Sequence, residues 1–356
     1  MRALLTGGAG FIGSHLAKTL LSHGYAVDCV DNLSTGSLQN VAEHLKNPKF
    51  RFFLGGADDQ TLIEPLLKSA DVIYHLAASV GVRNIMQNTV HSIENNLFTT
   101  ALNLRLANKY KKRIFIFSTS EVYGKANRFP FEEEDDAILG PVSKIRWSYA
   151  ASKLVDDYLA RAYYVEEKTP LTIVRLFNTI GTGQVGHYGM VVPRFFQQAR
   201  LNESITVYGD GSQTRCFTDV RDVVATLYAL IPNERSHGEL INIGSTEEIT
   251  ILDLARRIKT VTNSSSELQL VSFESVYGPH FEDMGRRVPS IKKLKSITNL
   301  DMQFNLTQTL SWIDTYDRAI KDASPSVKLS TEHEIDLAQS SDNMMLPAER
   351  AVTIEM

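Results

Sequence analysis

Arg2-Ala3-Leu4-Leu5-Thr6-Gly7-Gly8-Ala9-Gly10-Phe11-Ile12-Gly13 opens the chain immediately after Met1. Arg2–Thr6 is mostly apolar and short, the pattern of a buried strand. Glycines at 7, 10 and 13 come next with the spacing GxxGxxG, and Phe11–His23 then carries apolar side chains at helical intervals. A strand, a glycine turn and a helix in this order need glycine for three reasons: a tight turn, close approach of backbone to a pyrophosphate, and close packing of helix on strand. The first N–H groups of such a helix point at the anion. The next apolar run, Ala26–Asp31, ends in an acid, which can accept from both ribose hydroxyls and disfavours a 2′-phosphate. Strand, turn, helix and acid together predict a dinucleotide site that takes NAD rather than NADP. A glycine-rich turn with no ligand is the alternative.

Beyond this stretch the alternation continues. Leu38–Leu45 reads as a helix, Phe50–Leu54 as a third strand and Thr61–Ser69 as a helix. Val72–Leu76 reads as a fourth strand, Val90–Lys109 as a long helix and Arg113–Thr119 as a fifth strand. Ser148–Glu167 is expected to be helical and Leu171–Leu176 to be a further strand. Strands alternating with helices imply right-handed crossovers and a parallel sheet covered on both faces. The fold class is therefore α/β, a Rossmann-type doubly wound parallel sheet. Residues 1–180 are assigned to this dinucleotide-binding domain, with segments near 215–245 returning to it, and 181–320 to a smaller mixed substrate-binding domain. Gly181–Gly189, with glycines at 181, 183, 186 and 189, is expected to be a flexible loop. Met190–Leu201, Val220–Leu230, Ile251–Val261 and Leu306–Ile320 read as helices. From Lys321 the chain is polar without a firm period, and residues 321–356 are expected to form a disordered tail.

Composition narrows the class. Of 356 residues, 43% are hydrophobic and 22% charged, the balance of a folded chain. A net charge of -4 argues against a general nucleic-acid or membrane binder. It leaves room for a phosphate-bearing ligand held by N–H groups and single arginines. No apolar run reaches the roughly 18 residues of a membrane span. The N-terminus turns glycine-rich too early for a signal peptide, so the expected location is the cytoplasm. Cys29 and Cys216 read as buried thiols rather than a disulfide. No Cys/His cluster has zinc spacing, so no metal is expected.

Ser118-Thr119-Ser120-Glu121-Val122-Tyr123-Gly124 comes after the fifth strand, at the edge where parallel strands bind ligands. Tyr149-Ala150-Ala151-Ser152-Lys153 sets a phenol and an ammonium four residues apart on one helical face. A phenol with a pKa of about 10 is a poor base at neutral pH. A lysine cation and a positive nicotinamide ring would both lower that value and make Tyr149 a usable acid/base. Taken alone, YxxxK also describes an exposed helix pair.

With His75-Leu76-Ala77-Ala78, Arg175-Leu176-Phe177-Asn178 and Gly209 through Phe217 (GDGSQTRCF) added, the chain resembles the extended short-chain dehydrogenase/reductase family. These are the NAD-dependent sugar-nucleotide epimerases, dehydratases and decarboxylases. The resemblance runs from Arg2 to the region of Ile320. It implies NAD held by Gly7, Gly10, Phe11, Ile12, Gly13, Asp31, Asn32, Asp58, Leu76, Ala77, Ala78 and Asn96, with Tyr149 beside the cofactor and Lys153 on the nicotinamide ribose. It implies that Tyr149 removes the proton of the sugar 4-hydroxyl while a hydride leaves C4, and that Thr119 hydrogen-bonds that hydroxyl. Ser120, Asn178, Val191, Arg215 and Arg287 are implied contacts of the sugar nucleotide, both arginines at its diphosphate. A homodimer built from Val90–Lys109 and Ser148–Glu167 is implied as well.

All branches of this family pass through a 4-ketone and differ in how that ketone is consumed. Thr119-Ser120-Glu121 matches the decarboxylases and dehydratases, since the Glu121 position is often small or neutral in epimerases. Ser120 departs from the Asp-Glu pair of dTDP-glucose dehydratases, and Asp31 argues against the NADP-preferring GDP-mannose branch. Gly140 through Tyr149 (GPVSKIRWSY) resembles the approach to the catalytic tyrosine in a UDP-glucuronate decarboxylase domain. Arg146 there either holds a substrate carboxylate in a bidentate pair or is a surface or interface residue. The expected reaction is decarboxylation of UDP-glucuronate. The alternatives are a UDP-hexose 4-epimerase, an NDP-hexose 4,6-dehydratase and a non-catalytic NAD-binding protein. The chain also departs from the family's pattern. Gly56 occupies the place of the family's adenine-binding aspartate, shifting that role to Asp58 or to backbone. Gly181-Thr182-Gly183 replaces the usual Gly-Pro-Arg. Tyr188 through Pro193 (YGMVVP) resembles a loop common among epimerases and pulls the other way.

Overall fold

Leu4 and Leu5 are neighbours in the first strand, and both are fully buried. Successive strand side chains point to opposite faces, so their sheet must be covered on both sides. The computed structural model describes residues 1–186, 189–278 and 281–323. In it β1 (Arg2–Thr6), β2 (Ala26–Asp31), β3 (Phe50–Leu54), β4 (Val72–His75), β5 (Arg113–Thr119), β6 (Leu171–Leu176) and β7 (Leu240–Ile243) form a parallel sheet in the order β7-β6-β5-β4-β1-β2-β3. On one face Leu5, Cys29, Tyr74, Phe115 and Ile241 pack with Leu16, Leu20, Val223 and Leu227 of the Phe11–Ser22 and Val220–Ala229 helices. On the other, Leu4, Val30, Ile73, Ile114 and Ile173 pack with Ile63, Leu67, Leu102, Leu106 and Ala160. Those partners come from the helices Gln60–Ser69, Thr89–Lys109 and Ser148–Glu167. Each fully buried leucine of this kind contributes about 2 kcal/mol.

The strand order reverses between β1 and β4, and the crevice at such a switch point is where ligands bind in open α/β sheets. Gly7 and Ala77 face each other there. The segment Leu38–Leu45, read as a helix, is a 3-10 turn over Leu38–His44. Its buried residues, Val41 and His44, lie three apart, which suits a helix whose side chains eclipse at that interval. The Val220–Ala229 helix packs on the Phe11–Ser22 helix, and β7 extends the main sheet beyond β6.

A separate core gathers Val192, Phe195, Phe196, Ile205, Val207, Leu254, Ile258 and Leu310. Ile205–Tyr208 pairs parallel with Leu268–Val271. Thr214–Cys216 lies between Glu248–Thr250, antiparallel, and Arg286–Arg287, parallel. The three-stranded mixed sheet brings Arg215 and Arg287 to the same cleft as Glu121 and Tyr149. The last helix runs from Leu306 through Ala323, so Lys321 to Ala323 are helical rather than the start of a tail; residues 324–356 of the expected tail lie outside the described residues. His187 and Tyr188 of the expected glycine loop lie outside them too. Among the described residues no helix is long and apolar enough to cross a membrane.

Candidate active site

Gly7 has a φ of +72°, and a Cβ there would stand 2.7 Å from Ala77 N. A Cβ on Gly13 would stand 2.5 Å from the Gly7 carbonyl oxygen. The turn closes on backbone at both points, as the glycine spacing requires. No side chain caps the Phe11–Ser22 helix, and its first turn carries no acid. Its leading N–H groups and dipole are therefore available to an anion. At the end of β2, Asp31 Oδ2 accepts from Ala9 N at 2.9 Å and Oδ1 from Leu33 N at 2.8 Å. Burial pushes this carboxyl up, and the backbone N–H groups pull against it.

Gly7, Gly10, Phe11, Ile12, Gly13, Asp31, Asn32, Leu76, Ala77 and Ala78 line one cleft of about 780 Å³. Two residues expected at the cofactor stand elsewhere. Asp58 is exposed, and Gly55 and Ala57 form the wall in its place. The Asp58 carboxylate lies against Gly56, in the space that a side chain at position 56 would fill, and Asp59 next to it caps the Gln60–Ser69 helix. Asn96 is buried behind the wall, where its Oδ1 accepts from Ser79 N at 2.7 Å and its Nδ2 donates to Ser152 Oγ at 3.3 Å. It ties the loop after β4 to the Ser148–Glu167 helix, and Asn95 takes the wall position.

Thr119, Ser120, Glu121, Arg146, Tyr149, Lys153, Asn178, Val191, Arg215 and Arg287 all line the same cleft. Thr119 ends β5, and its Oγ1 accepts from Glu121 N at 3.2 Å, which sets the tight turn that aims Glu121. The Tyr149 phenol is pushed up from its ordinary value, first by desolvation, then by the Glu121 and Asp156 carboxylates. The Thr119 hydroxyl and Arg287 oppose that rise. The lowering expected from Lys153 is offset in this structure because Lys153 Nζ donates to Asp156 Oδ2 at 2.7 Å.

Arg146 is 3% exposed, so it is not a surface residue. Its Nη1 donates to Glu121 Oε2 at 2.7 Å, and its guanidinium lies 4.8 Å from the centre of the Trp147 ring. Arg287 Nη1 lies 3.5 Å from Glu121 Oε1, and Arg287 Nη2 donates to Asn178 Oδ1 at 2.7 Å. Burial opposes charge on Glu121, but Arg146, Arg287 and Arg215 outweigh it and hold the carboxyl below its usual value. Burial and Arg215 together bring Arg287 down to about 10. Glu121 is thus an ionised carboxylate among guanidiniums.

Three features were not anticipated from the sequence. Asp283 bridges Arg215, at 2.9 Å, and Arg146, at 3.8 Å. It lies in the same short run as Arg287, but nothing local marks its partners. Asp156 is the second; its spacing of three from Lys153 was the available signal. The third is an aromatic group at the far end of the cleft. Tyr277 and Phe281 stack at 4.3 Å, and the Arg194 guanidinium lies 3.9 Å over Tyr208. Tyr277 and Phe281 are four residues apart in one run, but Arg194 and Tyr208 come from other segments, so no single period reveals the group.

A doubly wound sheet with an NAD-type glycine turn, a Tyr-Lys helix and an arginine-rich second wall defines a Rossmann enzyme class. The model of the NAD dependent epimerase/dehydratase family matches residues 3–244, and the chain belongs to that family. Over 317 residues it is 42% identical to a UDP-N-acetyl-alpha-D-glucosaminuronate decarboxylase of Bacillus cytotoxicus, covering 87% of this chain and 97% of that one. It is 36% identical to UDP-glucuronic acid decarboxylase 1 of Danio rerio, covering 83% of this chain and 67% of that one. Among solved structures it is similar to UDP-glucuronic acid 4-epimerase of Bacillus cereus in complex with UDP-glucuronic acid and NAD. The TM-score there is 0.81 at 27% identity, with 90% of this chain and 100% of that one covered. NAD is the family's cofactor, and the uncapped helix, the glycine cradle and Asp31 fit it.

Proposed function

We propose that this chain decarboxylates a UDP-linked hexuronate through a transient 4-ketone. The observation that carries the reading is Glu121 held at 2.7 Å by a buried Arg146, with Arg287 alongside. Arg146, Arg215 and Arg287 face two carboxylates, Glu121 and Asp283, so this cluster has a guanidinium in surplus for an incoming anion. Guanidiniums suit both a carboxylate and a diphosphate, because the planar fork bonds either in bidentate fashion.

Bound NAD would supply the acceptor for the C4 hydride and, once reduced, the donor that returns it to the ketone after decarboxylation. Tyr149 accepts the proton of the 4-hydroxyl, and Thr119 orients that hydroxyl. The C5 carboxylate is then β to a ketone, and its bond to C5 breaks as the electron pair moves into a C4 enolate. The protonated Tyr149 stabilises that oxygen by hydrogen bonding. Arg146 and Arg287 receive the substrate carboxylate, which leaves as carbon dioxide; Glu121 keeps both guanidiniums in place, and a proton from water in the cleft restores C5. Arg215 and Asn178 serve the sugar nucleotide. The 42% identity with a decarboxylase of a 2-acetamido hexuronate, against 36% for a glucuronate enzyme, favours the 2-acetamido sugar.

The test is incubation of the purified protein with UDP-glucuronate, with its 2-acetamido counterpart and with UDP-glucose, then mass analysis of the products. Loss of the mass of carbon dioxide supports the proposal. Unchanged mass with a new stereoisomer supports the second reading, a 4-epimerase, which the Bacillus cereus structure favours. The proposal includes a cytoplasmic homodimer. Val90 and Phe98 on Thr89–Lys109, and Val155, Tyr158 and Val165 on Ser148–Glu167, are exposed apolar or aromatic side chains on two helices packed side by side.

A further inference from the structure

Asp156 has no part in the chemistry above, yet it is fully buried beside it. Its Oδ2 accepts from Lys153 Nζ at 2.7 Å, with the two side chains 0% and 3% exposed. Its Oδ1 is buried without a partner of good geometry among the described residues. Burying a carboxylate this way is costly unless it is paired. The neighbouring carboxylate, Asp157, is already committed to Arg175 at 3.0 Å. Lys153 therefore has its own counter-charge, built into the same helix as Tyr149.

The other groups that face this pair do not supply that compensation. From β4, His75 is held near 3 by burial and then by Lys153, so it is neutral. From Thr89–Lys109, the Thr100 hydroxyl faces Asp156 and bonds His75 Nε2 at 3.3 Å. From the β5 end, Glu121 is a second anion beside Tyr149, and Arg287 opposes it from the second wall. Asp156 is the carboxylate in direct contact with the ammonium on which the usual activation of a Tyr-Lys pair depends, and Asp157 acts on that ammonium from farther off.

We propose that Asp156 is a positioning residue for this pair: it clamps Lys153 from within the helix and cancels part of its charge, setting the pH at which Tyr149 gives up its proton. The inference rests on Tyr149 being the proton acceptor, and its test needs no turnover of any sugar nucleotide. Asp156→Asn keeps the shape and removes the charge; Asp156→Leu removes charge and hydrogen bond together. Each is made with and without Tyr149→Phe in NAD-saturated protein. The ultraviolet absorbance of tyrosinate is titrated with pH, and the difference within each pair isolates Tyr149. Removing a nearby negative charge favours the phenolate, so both substitutions are expected to lower its midpoint by about one pH unit relative to the wild-type pair. The melting temperature need not change with it. A Tyr149 midpoint that stays put or rises in both variants overturns the proposal, whatever the reaction proves to be.

Discussion

Glu121 separates the readings of the site at the level of one atom. Replacing it with Gln keeps the size and a hydrogen bond to Arg146 but removes the charge that organises both guanidiniums. Carbon dioxide release in Glu121→Gln is expected to fall by about a hundredfold, with the fold and NAD content unchanged. Release at the wild-type rate would mean that Arg146 and Arg287 hold their places without the Glu121 charge. His75 offers a second residue-level test. Burial holds it at about 3 in the folded chain, whereas an unfolded histidine titrates at about 6.5. Its folded value is depressed, so the unfolded chain takes up a proton that the folded chain refuses. Stability is therefore intact above the unfolded value and is lost as pH falls from there toward the folded one, at up to about 1.4 kcal/mol per pH unit. Urea unfolding at several pH values should show this slope in the wild type and a shallower one in His75→Gln. Equal slopes would mean that His75 is protonated in the folded protein.

The glycine turn is where one methyl group decides an element's position. A Cβ on Gly13 would meet the Gly7 carbonyl oxygen at 2.5 Å and Gly8 Cα at 2.7 Å, both backbone. Gly13→Ala must push the Phe11–Ser22 helix away from β1. A loss of about 1–3 kcal/mol is expected from the overpacking, together with loss of retained NAD. Both can be read from a denaturant midpoint and from the nucleotide released on heating. At Gly10 the nearest approach is 3.1 Å, to the Gly7 carbonyl oxygen, so Gly10→Ala should cost less. If the two variants behave alike, helix packing is not what the third glycine protects.

Two surfaces of the whole molecule bear on function. One is the cleft between the main sheet and the smaller mixed sheets. The other is the helix pair Thr89–Lys109 and Ser148–Glu167, which carries Tyr149 and Lys153 on its inner side and Phe98 and Tyr158, 64% and 70% exposed, on its outer side. If that outer side joins two copies, Phe98→Glu combined with Tyr158→Glu should yield monomers in sedimentation. A dimer that survives both charges must use another face.

Much of this architecture was legible in residue order because its causes are local. A buried parallel strand must be a short apolar run, a helix must repeat its apolar side, and a turn that touches pyrophosphate must be glycine; β1, β2 and the Phe11–Ser22 helix arise from those needs. Tyr149 and Lys153 share a face by helical geometry alone. The charge state of the site is another matter. Glu121 is ionised because Arg146 and Arg287 arrive from a distant loop and a distant strand, and Asp283 joins Arg146 to Arg215 across the cleft. Asn96 and Asp58 stand off the cofactor wall for a similar reason: which side of a wall a polar residue occupies depends on what packs behind it. Electrostatics acts through space, so only the tertiary structure could decide which carboxylate meets which cation, and whether Lys153 spends its charge on Tyr149 or on Asp156.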